Sequence, residues 1–196
     1  MSSDPPPLDE FYGTTKKAGT RKVVVEICVP DRATAEDRIQ LSYLTKKCVE
    51  AGASIGFTLP VAERELEIYW TKIFADAPAA RYILVARDAG GRIIGSAQLA
   101  FETRSNGLHR AEVQKVMVLP EWRRENIGAT LMVRLEAFAR ARSRSLLFLD
   151  TSVGESGACH FYERLGYQRA GSIPDYAADP HGRLEANAIY YKQLAV

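Results

Sequence analysis

No stretch of this 196-residue chain approaches the roughly 18 consecutive apolar residues of a membrane span, and its start, MSSDPPPLDEF, lacks a basic segment followed by an apolar run. A soluble, unprocessed, cytoplasmic protein without a membrane partner is expected. Charge of one sign is lacking too: 26 Lys and Arg stand against 24 Asp and Glu, a formal net charge of +2. Nucleic-acid binders normally cluster Lys and Arg along one face, so no nucleic-acid partner is expected. The three cysteines, Cys28, Cys48 and Cys159, are an odd number without CxxC spacing. That argues against both a disulfide framework and a thiolate zinc site. His109 and His181 have no spaced partner, so no metal is expected either. Neither GxxxxGK[ST] nor GxGxxG occurs, which excludes a Walker loop and a dinucleotide fingerprint.

What is present suits one core: 46 % of the residues are hydrophobic and 26 % charged. Residues 1–20 hold three consecutive prolines and scattered charge and read as a flexible tail, leaving 21–196 as the domain. Short β-branched or apolar runs predict strands at 22–29, 82–86, 92–101, 109–119, 145–150 and 186–193. Apolar residues at three- and four-residue steps predict helices at 35–51, 62–74, 127–141 and 155–165. The loop 52–58 (GASIGFT) reads as a compact turn, with a ligand-facing loop as the other option. The strands before residue 120 form an antiparallel meander. After it, strand, helix and strand make a right-handed crossover, which joins a strand's C-terminal end to a helix N-terminus, where ligands of open α/β sheets sit.

That junction reads VMVLPEWRRENIG, residues 116–128. The first turn of a helix has amides without intrahelical partners and a partial positive charge, so it suits an anion, here phosphate. Arg123 and Arg124 add charge, Asn126 tolerates positive φ, and Gly128 admits close approach to the backbone. A solvated basic turn remains the plainer alternative.

Arg123-x-x-Asn126-x-Gly128, followed about thirty residues later by the run 158–167 (ACHFYERLGY), resembles the two motifs of the GNAT superfamily of N-acetyltransferases. Within it, residues 52–57, 106–115, 147–151, 182–184 and 188–192 look like the tabtoxin-resistance acetyltransferases, a likeness covering roughly 52–194. The resemblance implies an α/β (α+β) fold: a twisted, mixed and mostly antiparallel sheet of about seven strands with about four helices, splayed between the fourth and fifth strands. It implies acetyl-coenzyme A as acetyl donor and, as acceptor, the primary amine of a small amino-acid-like toxin. It also leaves open a homodimer, since members are often dimers. Met117, Val118, Leu119, Arg123, Arg124, Glu125, Asn126, Ile127, Gly128, Ala129 and Ser156 would hold the cofactor, with the backbone amides of Val118 and Leu119 meeting the thioester carbonyl. Asn126 departs from the family's glycine, so it either adopts left-handed geometry or loosens the grip.

Transfer to an amine needs an unprotonated nucleophile and hence a base. Glu112 shares a strand face, by simple alternation, with Gln114, Val116 and Val118, and a partly desolvated carboxylate there suits a general base. Its alternative is pairing with Arg110 or Lys115. Asp150 ends the next strand and can bind an ammonium; its alternative is helix capping, for which Thr151 and the pair Ser152 with Glu155 compete. Tyr162 can protonate the departing thiolate, the role the resemblance implies, or be a core tyrosine. Adjacent Cys159 and His160 point about 100° apart on a helix and make a poor thiolate pair. A protein that binds an acyl-coenzyme A without turnover, or an enzyme for another amine, another antibiotic or a protein N-terminus, are the competing functions.

Overall fold

The computed structural model describes residues 14–18, 21–28, 33–75, 80–154 and 157–195. The chain runs β1 (Thr14–Ala18), β2 (Arg21–Cys28), α1 (Ala35–Glu50), α2 (Glu63–Ala75), β3 (Arg81–Asp88), β4 (Ile93–Phe101), β5 (Arg110–Val118), α3 (Ile127–Ala141), β6 (Leu146–Ser152), α4 (Ala158–Arg164), β7 (Gln168–Ala178) and β8 (Leu184–Gln193). One sheet holds the eight described strands in the order β1-β2-β3-β4-β5-β6-β8-β7. Every neighbour is antiparallel except β5 and β6. No helix among the described residues is long and apolar enough to cross a membrane.

Two strands exceed the sequence reading. Thr14–Ala18 lies in the stretch expected to be a tail, yet pairs with β2 from Thr14 opposite Val25 to Ala18 opposite Arg21. Apolar content says little about an edge strand held by backbone hydrogen bonds. β7 was not read from the residues at all, because it is exposed along most of its length and carries Pro174 and a left-handed Asp175 (φ 48°) within a register shift against β8.

The helices follow their stripes. Thr34 and Asp37 close a capping box at the start of α1, and the buried Trp70 of α2 donates from its indole nitrogen to the Thr45 hydroxyl of α1 at 3.1 Å. On the other face of the sheet α3 buries Ile127, Leu131, Leu135 and Phe138, and Phe138 stacks on Phe101 of β4. A side chain at Gly95 of β4 would lie 3.2 Å from both Ile127 and Leu131, so this glycine is what lets α3 close on the sheet.

Two irregularities shape the centre. β5 and β6 pair only from Arg110 opposite Leu146 to Glu112 opposite Phe148, although β5 runs on to Val118 and β6 to Ser152. A wedge opens beyond that step. Counted without β1, these are the fourth and fifth strands, where the splay was expected. The second irregularity is a β-bulge: Gln98 and Ser96 of β4 oppose Gln114 and Met117 of β5, leaving Lys115 and Val116 against Ala97, with Lys115 at φ 48°. The extra residue inverts the expected alternation. Met117, not Val116 or Val118, shares a face with Glu112 and Gln114.

Candidate active site

The bulge, the wedge and the helix that follows bring most of the expected residues to one region. Glu112 is half-buried at the last paired step of β5 and β6, on the face that carries α1 and α2. Neither neighbour considered for it pairs with it: Arg110 donates to Glu102 at 2.8 Å, and the Lys115 ammonium donates to the Ile55 carbonyl at 2.7 Å. Asp150 follows Phe148 by two residues on β6 and therefore shares Glu112's face, exposed beside the wedge. It does not cap α4, which begins at Ala158 behind a left-handed Gly157. Its carboxylate accepts a hydrogen bond from the side-chain amide of Asn187 at 2.6 Å. Ser152 is no helix cap either: its hydroxyl donates to Glu185 and accepts from the Gly154 amide. Glu155 and Ser156 lie outside the described residues.

Lys115 was not expected here. Its amino group sits 5.5 Å from the centre of the Tyr69 ring and 5.9 Å from that of Phe57. Burial pushes its pKa down, Asp150 and Glu112 oppose that, and Arg81 adds to it. Tyr176 of β7 has its phenol pKa raised, foremost by Asp150 and also by burial and Glu112. Both carboxylates thus act on the same two side chains. Arg81 donates to Gln114 at 2.8 Å and to Gln98 at 3.3 Å, and Gln98 donates to the Tyr69 hydroxyl at 3.3 Å, forming a polar floor beneath the bulge. The loop 52–58, read as a compact turn, lies against this face through Ile55, and its Ser54 hydroxyl donates to the Ala178 carbonyl at 3.4 Å.

Tyr162 approaches from the other side. It is buried on α4, edge-on to Tyr167 and tilted against Tyr190 of β8. Tyr190 opposes Leu149, so it belongs to the face opposite Asp150. Burial, with Asp150 and Cys159 adding, pushes the Tyr162 pKa well above that of a free phenol. The phenol keeps its proton. Asp150 thus acts on Tyr162 although the tyrosine packs on the opposite face of the sheet. Cys159 and His160 diverge as helical geometry requires: the thiol faces the Ser152 carbonyl, while the imidazole is exposed beside Glu163.

At the far end of the wedge, 120–122 form a 3-10 turn and Arg124 and Asn126 both adopt left-handed backbone, Asn126 at φ 59° and ψ 12°. This is the first of the two geometries expected of Asn126. The first backbone bond of α3 runs from the Thr130 amide to the Asn126 carbonyl at 2.9 Å, and the Asn126 side chain caps nothing. The amides of Asn126, Ile127, Gly128 and Ala129 thus have no carbonyl a turn behind them in the helix. Arg123 lies beside the buried Cys48 thiol; burial raises that thiol's pKa and Arg123 lowers it.

One expectation needs correction. The Leu119 amide does not face the wedge, since it donates to the Ile94 carbonyl of β4 at 2.9 Å. By strand alternation the Val118 amide points the other way. Gly128 was expected to leave room for phosphate; among protein atoms, a side chain there would meet the Phe161 ring at 3.3 Å and Val118 at 3.8 Å. Its missing side chain therefore also serves the contact between α3 and α4. Asn187, Lys115 and Tyr176 are the site residues that sequence reasoning missed. A lysine three residues from Glu112 in the same strand was the only signal available for any of them.

A profile of the acetyltransferase (GNAT) family matches residues 51–167. The chain is 30% identical over 103 residues to the IAA acetyltransferase of Azospirillum brasilense, covering 53% of this chain and 64% of that one. It is 32% identical over 97 residues to the aminoalkylphosphonate N-acetyltransferase of Salmonella typhimurium strain LT2, covering 47% and 60%. The chain therefore spans less than two thirds of the length of these curated relatives. An acetyltransferase from Salmonella typhimurium, solved with its cofactor acetyl-CoA, shares the fold at a TM-score of 0.68 and 16% identity, over 88% of this chain and 94% of that one.

Proposed function

Because the chain belongs to the acetyltransferase (GNAT) family, we propose that it is an N-acetyltransferase that moves the acetyl group of acetyl-coenzyme A to the primary amine of a small amino-acid-like acceptor, such as a tabtoxinine-β-lactam-like toxin. The observation that carries this reading is the placement of Glu112 and Asp150 on one face where β5 and β6 cease to pair, with the uncapped start of α3 at the other end of the wedge. The residue blocks 52–57, 106–115, 147–151 and 188–192, which carry the resemblance to the tabtoxin-resistance acetyltransferases, include the loop and strands that build this wedge. The relative named for aminoalkylphosphonates supports an acceptor that carries both an amine and an acid.

Acetyl-coenzyme A supplies the acetyl group as an activated thioester. The α3 amides and the charge of Arg124 suit its phosphates, and the Val118 amide suits the thioester carbonyl. Asp150 holds the acceptor's ammonium by charge-assisted hydrogen bonds. Glu112, half-buried on the same face, takes its proton and frees the nitrogen lone pair. Tyr162, kept protonated by burial, gives a proton to the departing sulfur.

Mass spectrometry of a small-amine and amino-acid library incubated with acetyl-coenzyme A tests this. Members bearing a primary amine are expected to gain one acetyl group, with thiol released in step. Binding of acetyl-coenzyme A without thiol release across the library would make the protein an acyl-coenzyme A sensor.

A further inference from the structure

Lys115 is a half-buried cation with no carboxylate in contact with it among the described residues. It lies in the β5 bulge with left-handed backbone, φ 48°, a conformation that a lysine keeps only where its surroundings hold it. The bulge turns its side chain toward α2 and the loop 52–58, on the face that carries Glu112 and Asp150. There the ammonium donates to the Ile55 carbonyl, beside the rings of Tyr69 and Phe57, which meet edge to face. Gly56 makes the room: a side chain on this left-handed residue would come within 3.2 Å of the ammonium nitrogen.

An ammonium has three N–H bonds, and the Ile55 carbonyl takes one of them. A cation drawn out of water is ordinarily matched by an anion at contact distance. Glu112 and Asp150 act on Lys115 through space, opposing the burial that pushes its pKa down, yet neither forms an ion pair with it. Arg81, the other cation of this face, donates to the Gln98 and Gln114 side chains. The face therefore keeps opposite charges apart: two carboxylates where the wedge opens, and an ammonium farther along β5 against the loop. A small molecule that carries an amine and a carboxylate matches both.

We propose that Lys115 is a specificity-determining residue that binds the carboxylate of the acceptor while Asp150 and Glu112 receive its amine, so that the protein selects amino acids over plain amines. This rests on the reading of the protein as an N-acetyltransferase. The remaining N–H bonds of Lys115 go to the carboxylate, which supplies the missing counter-ion as a charge-assisted pair. The Tyr69 and Phe57 rings wall the same corner and suit the short apolar stem between the two charged ends. Lys115 takes no part in bond making. It fixes one end of the acceptor, so that the nitrogen at the other end is held at Glu112 and Asp150.

Steady-state kinetics test this with small amino acids, their carboxamides and the amines left by removing the carboxylate, using the wild type, Lys115→Met and Lys115→Arg. The wild type is expected to prefer the amino acids. In Lys115→Met their KM is expected to rise about ten- to a hundredfold, as for a lost hydrogen bond to a charged group, while the carboxamide and the plain amine change far less and the preference collapses. Acetyl-coenzyme A affinity stays unchanged. Lys115→Arg, which keeps a cation there, retains the preference. A lysine that only tethers the loop would raise KM for all three acceptor classes alike, and that result overturns the carboxylate role. So does a wild type indifferent to the carboxylate, a measurement that needs no variant to fold. No transfer to any member by the wild type overturns the acetyltransferase reading as well.

Discussion

The Lys115 ammonium donates to the Ile55 carbonyl at 2.7 Å, so the extra residue of the β5 bulge ties the central sheet to the loop between α1 and α2. The bulge therefore aims a second cation, beside Arg81, into the face that carries Glu112 and Asp150, and that cation ties the loop to the sheet.

Lys115 gives stability a pH signature. Burial lowers its pKa in the folded state below the ordinary value of 10.5, so just below that pH the unfolded chain binds more protons than the folded one. Stability accordingly rises with pH across that window and is lost as pH falls through it. Lys115→Met should flatten the rise in denaturant melts taken between pH 8 and 10.5. It should also raise the acceptor KM, because the loop loses its tether. A curve parallel to that of the wild type would mean that the ammonium is not buried in solution.

Glu112→Gln keeps the size of the side chain and removes its basicity. A drop in kcat of about 10²- to 10⁴-fold is expected, with acetyl-coenzyme A affinity unchanged and the acid limb of the rate profile lost. Stopped-flow thiol release with parallel calorimetry checks both parts. Wild-type rates across pH would remove Glu112 as the base.

Asn126 sits at φ 59°, where a side chain with a branched Cβ is strained. Asn126→Gly should bind acetyl-coenzyme A at least as tightly as the wild type. Asn126→Val should cost about 1–2 kcal/mol of stability and weaken that binding. Equal affinities in all three proteins would separate the turn from the cofactor.

Gly128 and Phe161 face each other, so their substitutions should couple. Gly128→Val is expected to weaken acetyl-coenzyme A binding by displacing Phe161, and Phe161→Ala in the same chain should recover part of the loss. A coupling of about 0.5–3 kcal/mol is expected in a double-mutant cycle. Additive effects would instead place the valine directly against the phosphates.

Periodicity made much of this fold legible. The stripe Ile127, Leu131, Leu135 and Phe138 is the buried face of α3, and Leu66, Trp70 and Ile73 are that of α2. The start of α3 was legible as well, because the period changes from two to 3.6 after Pro120 and Asn126 tolerates the left-handed backbone that precedes Ile127. The bulge was not. One extra residue leaves no mark on composition, yet it reverses which of Val116, Met117 and Val118 shares a face with Glu112. β7 escaped because neither of its faces is buried, so it has no period of two. Asn187 escaped because its meaning lies in a register that pairs it across to β6, far away in the chain.

β8 joins both halves of the site late in the chain. Its Asn187 holds Asp150, its Tyr190 hydroxyl donates to Glu163 beside Tyr162 at 2.8 Å, and its Lys192 donates to the Leu165 carbonyl at the end of α4 at 2.7 Å. The two flanks of the wedge thus depend on one strand: a change of register in β8 would move Asp150 and the end of α4 together.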